Sequence, residues 1–243
     1  MKYFLSLILI LQLLLANSPI AVVSKVRGRV NHKMINDEKY KSILLVNTPI
    51  FLESQIKTDD KSFVKFIFLD DGTSIAMYSD SEVKVKGNVH KRMISKQIEL
   101  ISGMININVT KQALGEFTLV TSNSELTCIE CGFWILLDPL TGDELIKESG
   151  NISIWNPSLN RSSELVIDTT LISLINNEFQ QFGTPVTDIK YLESLMLEVD
   201  EHVIQSRKDE MEEVSSEATS NVVVIKLKNA ANVERKLILT YNR

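Results

Sequence analysis

Two cysteines, Cys128 and Cys131, are the only thiols in this 243-residue sequence, and they stand in a C-x-x-C spacing. Such a spacing suits a disulfide or a redox centre. A redox centre of the thioredoxin type needs its first cysteine at a helix N-terminus, where the helix dipole lowers the pKa of the thiol. The surrounding LTCIECGFWIL is typical of a strand or bend. We therefore favour a structural disulfide or two inert thiols over redox catalysis.

Two adjacent carboxylates, Asp70 and Asp71, could take part in acid–base chemistry or bind calcium. Adjacent residues of a strand normally point to opposite faces, and no further carboxylates follow at the spacing of a calcium loop. Asp-Asp-Gly-Thr is also a common turn sequence. We therefore predict that Asp70, Asp71, Gly72 and Thr73 form a turn, and we expect neither catalysis nor a metal there.

The remaining polar motifs give no catalytic constellation. His32, His90 and His202 are far apart and lack the close spacing with which one element presents two metal ligands. No G-x-S-x-G nucleophile motif and no phosphate-binding glycine loop is present in the sequence. Trp134 and Trp155 could be ligand platforms, but tryptophans in strands more often pack in a core. The sequence predicts a protein that is not an enzyme and has no catalytic residue, metal or cofactor.

The elements that position these residues are mostly strands. Phe63 to Ser81 alternates apolar and polar residues on both sides of Asp-Gly, which predicts a β-hairpin. Similar short segments recur from Val22 to Pro157, and Asn88 to Lys96 reads as a basic, polar connection between two of them. About ten strands at this spacing are typical of an antiparallel β-sandwich, a jelly roll or a barrel.

The pattern changes after Pro157. The spacing of the apolar residues predicts one helix within Leu165 to Phe182 and a second that begins at Thr187 or Asp188. A terminal hairpin is predicted from VVVIKLK and VERKLILTY. The predicted organisation is a leader over residues 1–21, a β domain over 22–157, a helical segment over 158–218 and a C-terminal β-hairpin over 219–243.

The N-terminus predicts export. Met1-Lys2 precedes an apolar run from Tyr3 to Ala16, which is shorter than the about 20 apolar residues of a spanning helix. A cleaved signal peptide is therefore favoured, with an uncleaved anchor that holds the chain to the membrane as the alternative. The formal net charge of −5 and the lack of a basic stripe argue against binding to nucleic acid.

The order of the short strand motifs resembles a FecR domain from Val22 to Trp155. The segments that carry the resemblance are, in order, VRGRV, TPIFLESQIKT, FVKFIFLDDGTSIAMYSDSEVKV, IELISGMININV, FTLVTSNSELTCIECGFWI and ESGNISIW. The family's usual Arg-Gly-Thr-x-Phe segment is replaced here by Ile129-Glu130-Cys131-Gly132-Phe133, in which only the phenylalanine is retained.

The resemblance implies a bacterial protein of the periplasm or cell envelope. The family's best-known members are inner-membrane regulators of sigma factors with a cytoplasmic N-terminal segment, for which Met1-Lys2 leaves no room. We therefore expect a protein- or cell-wall-binding or assembly module whose partner is an envelope protein or cell-wall component. One alternative is an extracytoplasmic sensor in signalling to a sigma-factor system. A second is a carbohydrate-binding or carbohydrate-active jelly roll.

Overall fold

The computed structural model describes residues 18–40, 42–138, 142–158, 160–165, 169–174, 179–198, 222–228 and 234–240. The chain divides into two compact units, Met1–Ser194 and Leu195–Arg243. Residues 1–17 of the predicted leader and most of the region beyond residue 198 lie outside the described residues. The predicted boundary of the leader at residue 21 is too late, because Ile20 and Ala21 are buried and Ala21 begins the first strand. No helix in the described ranges is long and apolar enough to cross a membrane.

Seventeen strands of the first unit form one connected β structure. The first nine are β1 (Ala21–Arg27), β2 (Val30–Lys33), β3 (Ser42–Ile43), β4 (Pro49–Ile50), β5 (Gln55–Thr58), β6 (Phe63–Phe68), β7 (Ser74–Met77), β8 (Glu82–His90) and β9 (Met93–Val109). The others are β10 (Phe117–Val120), β11 (Glu125–Cys128), β12 (Cys131–Asp138), β13 (Gly142–Gly150), β14 (Ser153–Asn156), β15 (Arg161–Glu164), β16 (Thr169–Leu174) and β17 (Phe179–Gly183). The predicted mainly-β fold class is confirmed.

The strands make two sheets that share the long strand β9. Sheet A has the order β4-β1-β6-β7-β9-β12-β13-β16-β17, and all its pairs are antiparallel. Sheet B has the order β3-β2-β5-β8-β9-β10-β11-β14-β15, in which only the β9–β10 pair is parallel. The first half of β9 belongs to sheet B and its second half to sheet A, so β9 turns the corner between them.

One hydrophobic core lies between the two sheets. Sheet A contributes Phe66, Phe68, Ile107 and Phe133, among others, and sheet B contributes side chains such as Val83, Ile98, Phe117 and Leu126. Alternate residues of each strand point into this core, as the burial of Ile94, Lys96, Ile98 and Leu100 along β9 illustrates. Burial of the apolar members of this set is the main source of stability in the first unit.

The hairpin predicted around Asp-Gly is formed by β6 and β7, which pair from Val64↔Met77 to Ile67↔Ser74. Backbone hydrogen bonds between Phe68 and Thr73 and from Gly72 to Phe68 close its turn. Gly72 has φ +83°, a conformation that glycine adopts without the steric cost of a side chain. The carboxylates of Asp70 and Asp71 project from this turn.

The helix predicted within Leu165 to Phe182 is wrong. This region contains β16 and β17, and β16 pairs with β13 from Gly142↔Leu174 to Ile146↔Thr170. In a short apolar segment, the spacing of the apolar residues does not distinguish a helix from a strand. Pairing with a strand distant in sequence then decides the structure and overrides the local helical spacing. The predicted helical segment over 158–218 therefore begins with strands.

The second predicted helix is present as α1, residues 186–198. Of its predicted apolar stripe, Leu192 is buried at 8% exposure, whereas Ile189 and Met196 are exposed. Val199 and Val203 lie outside the described residues. The second unit contains an antiparallel hairpin of β18 (Val222–Lys228) and β19 (Glu234–Thr240), as predicted.

Candidate functional site

A fully buried lysine, Lys96, lies at the centre of the most polar cluster in the core. It stands on the sheet B half of β9, between the inward-facing Ile94 and Ile98, and is only 1% exposed. The predicted connection from Asn88 to Lys96 is wrong, because β8 and β9 pair as far as His90↔Met93. Alternation along Ile94, Lys96, Ile98 and Leu100 is the sequence pattern that could have placed the lysine inward.

Both carboxylates of the β6–β7 turn contact this lysine. Lys96 Nζ lies 2.9 Å from Asp70 Oδ2 and 2.8 Å from Asp71 Oδ2. The expectation that adjacent residues diverge does not hold here, because the two aspartates stand in a turn and not in a pleated strand. Together they bring two negative charges to one positive charge inside the protein.

Backbone and amide groups complete the surroundings of Nζ. Lys96 Nζ also lies 3.2 Å from the carbonyl oxygen of Ile94 and 3.1 Å from Gln112 Oε1. Gln112 Nε2 donates to Asp71 Oδ2 at 2.7 Å and to the carbonyl of Thr110 at 2.8 Å. The Phe68 ring covers the cluster, with its centroid 5.4 Å from Nζ.

The two aspartates have different hydrogen-bonding environments. Asp71 Oδ1 accepts from the Thr73 N–H, and Asp71 Oδ2 accepts from Lys96 and Gln112. Burial alone would raise the pKa of Asp71, but its hydrogen bonds with Lys96 and Thr73 and the lysine charge lower it below the usual value. Asp70 Oδ2 accepts from the Ile94 N–H at 2.9 Å, whereas Asp70 Oδ1 is buried and has no hydrogen-bond partner.

This cluster, which we call the Lys96 centre, links the two sheets. Its aspartates come from a turn of sheet A, and its lysine and the Ile94 N–H come from the sheet B half of β9. Loss of Lys96 would leave two carboxylates without a compensating cation, at a cost of about 3–5 kcal/mol. The Lys96 centre is thus a structural lock between the sheets in its ionic form.

Cys128 and Cys131 are joined by a disulfide at a second junction between the sheets. Cys128 ends β11 in sheet B, and Cys131 begins β12 in sheet A. Both cysteines are buried, and the bend between them exposes Ile129 and Glu130. No helix follows Cys128 directly, so the helix dipole that activates a redox thiol does not act here.

An open groove of about 940 Å³ runs beside this disulfide. Its lining combines exposed polar groups, the C-x-x-C bend and one buried lysine: Glu116, Thr127, Cys128, Ile129, Glu130, Lys147, Ser149, Gly150, Asn151 and Ser153. Lys147 lies on the inward side of β13 and donates from Nζ to the carbonyl of Leu165 at 2.7 Å. We call this feature the disulfide groove. Its size is within the range of ligand pockets.

The histidines named by the sequence are not brought together. His32 is buried on β2, and His90 is exposed at the end of β8. His202 lies outside the described residues. Burial lowers the pKa of His32, while the charge of Asp37 acts in the opposite direction. Within the described ranges, no group of three His, Cys, Asp or Glu residues is placed to hold a metal ion.

The two tryptophans have different environments. Trp134 is 2% exposed, donates from Nε1 to Glu148 at 2.7 Å and stacks at a tilt on Tyr78. It lines a cavity of about 230 Å³ with Glu144 and Asp188, but its ring offers little open face to a sugar. Trp155, on β14, is 41% exposed and does not line the disulfide groove.

A buried acid that the sequence did not single out is Asp143 on β13. Its carboxylate accepts hydrogen bonds from Thr121 and Asn123, which hold the β10–β11 turn against sheet A. Burial raises the pKa of Asp143 and outweighs these hydrogen bonds, which lower it. This arrangement fixes a turn and offers no open site.

Comparison with known proteins identifies no family. No family model matches the chain, and no curated protein matches it. Two crystal structures described as a "putative anti-sigma factor" from Parabacteroides distasonis, at 1.65 Å and 2.50 Å, are similar, with TM-scores of 0.47 and 0.46 and 13% identity. In each case the match covers 56% of this chain and 62% of that chain. Likeness at this level carries no inference about function.

Proposed function

We propose that this chain is a non-enzymatic, exported protein of the bacterial envelope whose β-sandwich binds another envelope component through the disulfide groove. The observation that carries the proposal is the groove itself, an open cleft of about 940 Å³ beside the disulfide that joins the two sheets. Sites of this size, set on rigid elements, are the usual places where proteins bind ligands.

Two features support the location outside the cytoplasm. The apolar run after Met1-Lys2 fits a secretory leader. The Cys128–Cys131 disulfide fits an oxidising compartment, since thiols of most cytoplasmic proteins are kept reduced. The order of strand motifs that resembles a FecR domain is consistent with both.

The chemistry of the groove favours a protein or a cell-wall polymer as the partner. Its walls present hydroxyl and amide groups from Ser149, Asn151 and Ser153, and its rim presents the apolar Ile129 beside Glu130. Mixed polar and apolar surfaces of this kind are typical of reversible contacts between proteins.

Photo-crosslinking in the native host tests this proposal. A photoreactive residue at Ser153, inside the groove, should capture one discrete partner. The matched control is Ser122, an exposed serine in the β10–β11 turn at the other end of β11, where no such adduct is expected. Absence of an adduct at Ser153, or the same adducts at both positions, would contradict a role for the groove.

The resemblance to FecR domains also supports a second candidate function, extracytoplasmic sensing in signalling to a sigma-factor system. Deletion of the gene separates the two candidates. A sensor predicts altered transcription of a transport or stress operon, whereas a binding or assembly module predicts an unchanged transcriptome with altered envelope composition.

A further inference from the structure

We propose that Lys96 and Asp70 become joined by an intramolecular isopeptide bond, with Asp71 as the proton carrier. The inference rests on the Lys96 centre and does not depend on the partner of the disulfide groove. Its starting observation is a lysine that is 1% exposed, with one oxygen of each of two carboxylates within 2.9 Å of Nζ.

The positions of the hydrogen bonds distinguish the roles of the two aspartates. Asp71 is held at both oxygens, by Thr73, Lys96 and Gln112, and this favours its carboxylate form. Asp70 is held at Oδ2 alone, by the Ile94 N–H and Lys96, and its buried Oδ1 has no partner. Asp70 is therefore the better electrophile. Asp71 is kept as a carboxylate in contact with Nζ, so its position and not its basicity makes it the group that receives the proton of the ammonium.

The reaction balances without any co-reactant. Asp71 accepts a proton from the Nζ ammonium, and the nitrogen lone pair attacks Cγ of Asp70. The Ile94 N–H stabilises the negative charge that develops on Asp70 Oδ2, as an oxyanion-hole donor does. The new N–C bond forms and the bond from Cγ to Oδ1 breaks. Oδ1 leaves as water with two protons, one returned by Asp71 and one lost from the attacking nitrogen, so that Asp71 ends as the carboxylate that it was at the start. An ammonium and a carboxylate become one neutral amide and one water.

Burial supplies the driving force. In water, hydrolysis of an amide is favoured, but here the lysine is 1% exposed beneath Phe68, and the side chains of Asp70 and Asp71 are only 9% and 16% exposed. Amide formation replaces the Lys96–Asp70 ion pair with a neutral group in a medium of low dielectric, where the desolvation cost of an ion pair can exceed its attraction. The Asp71 carboxylate remains, with its hydrogen bonds from Thr73 and Gln112 and with 16% of its side chain exposed. Fixed placement of the reacting groups also gives effective molarities of about 10⁵–10⁸ M in well-oriented intramolecular reactions.

The bond would connect residues 26 positions apart and join the turn of sheet A to the sheet B half of β9. This covalent link would lock the two sheets together at the end of β6 and β7. A domain so linked resists proteolysis and mechanical unfolding, which suits a protein exposed in the cell envelope.

Mass spectrometry of the purified, folded full chain tests the bond directly. After reduction of the disulfide, we expect a mass lower than the sequence mass by one water molecule. After tryptic digestion, peptide 66–84 should remain attached to peptide 93–111 through Asp70 and Lys96, with no cleavage after Lys96. A folded chain that keeps the full sequence mass after long incubation would overturn the proposal, and a link mapped to Asp71 would overturn the assignment of the electrophile.

Two variants and one internal control test the roles assigned to Lys96, to Asp71 and to burial. Lys96→Arg retains a positive charge but cannot form this amide, so its full sequence mass is expected. Asp71→Asn retains both reacting groups and should leave a large unlinked fraction. Lys84 and Glu53 are an equally close pair, 2.7 Å apart, but their side chains are more accessible to water, at 26% and 32% exposure. A water loss at this more accessible pair as well would contradict the role assigned to burial.

Discussion

At the scale of single residues, the chemistry of this protein is concentrated at Lys96, Asp70 and Asp71. The turn formed by the two aspartates was predictable, because Asp-Asp-Gly between alternating segments has few other structures. Their convergence on Lys96 was not predictable from the turn alone. It depends on β9, whose pairing with β8 places Lys96 in the core although the surrounding sequence is basic and polar.

The buried imidazole of His32 predicts a dependence of stability on pH. Its pKa is lowered by burial from the usual value of 6.5, so the unfolded chain binds the proton more readily than the folded chain. The free energy of unfolding should therefore be highest above pH 6.5 with respect to this group and fall as the pH drops toward the folded pKa. Urea titrations at several pH values measure this effect.

Two substitutions separate His32 from the other titrating groups. His32→Gln should flatten the part of the profile just below pH 6.5, whereas His90→Gln, at an exposed position, should leave it unchanged. An unaltered slope in the His32 variant would show that other groups cause the dependence.

At the scale of elements, β9 organises the domain because it belongs to both sheets. Its corner is at Gly103, which has φ +87°, and the backbone there lies against Ser81. Ser81 Oγ accepts from the Met104 N–H, and the Ser81 N–H donates to Thr58 Oγ1. Thr58, which ends β5, and Ser81, which follows β7, thus hold the corner of β9 in place by hydrogen bonds. Both residues contribute to the resemblance to FecR domains.

Substitutions at two glycines test the role of this corner. Gly72→Ala should cost about 1–2 kcal/mol, the strain of a left-handed residue, because no atom lies within 4 Å of its new methyl group. Gly103→Ala should cost at least about 3 kcal/mol, since its Cβ would also approach the Ser81 Cα to 2.5 Å. Denaturant unfolding of both variants measures the difference, and equal losses would contradict the importance of the corner.

The disulfide is the second link between the two sheets, and its contribution to the free energy of unfolding should be modest. Because Cys128 and Cys131 are separated by only three positions, the closed loop is short and the expected stabilisation is about 2 kcal/mol. The Cys128→Ala/Cys131→Ala variant should therefore fold with reduced stability. A thiol-reactive maleimide should label the native chain only after reduction, and labelling without reduction would contradict a disulfide in the native protein.

Most strands between β1 and β14 followed from alternation and turn residues, which are local properties, but the β8–β9 hairpin at Asn88 to Lys96 did not. The region from Leu165 to Phe182 did not, because the structure there is decided by the pairing of β16 with β13, a strand more than twenty residues earlier. The disulfide groove could not be predicted from the sequence either, because it is formed by segments that only the order of strands in the sheets brings together.

At the scale of the whole molecule, the first unit is a sandwich fastened at the Lys96 centre and at the disulfide, with the groove beside the latter. The disulfide joins two strands at the groove, so that the proposed binding would require little ordering of the protein. Preorganised surfaces gain affinity because they avoid this entropic cost.

The measurement that most directly tests this account is the affinity of the partner captured from Ser153 for three forms of the purified chain. Asn151→Trp, which fills the exposed groove, should weaken binding at least about tenfold relative to the wild type, or about 1.4 kcal/mol. Ser122→Trp, at the other end of β11, should bind as the wild type does. Equal affinities of all three forms, with folding intact, would contradict the proposal that the disulfide groove is the binding site.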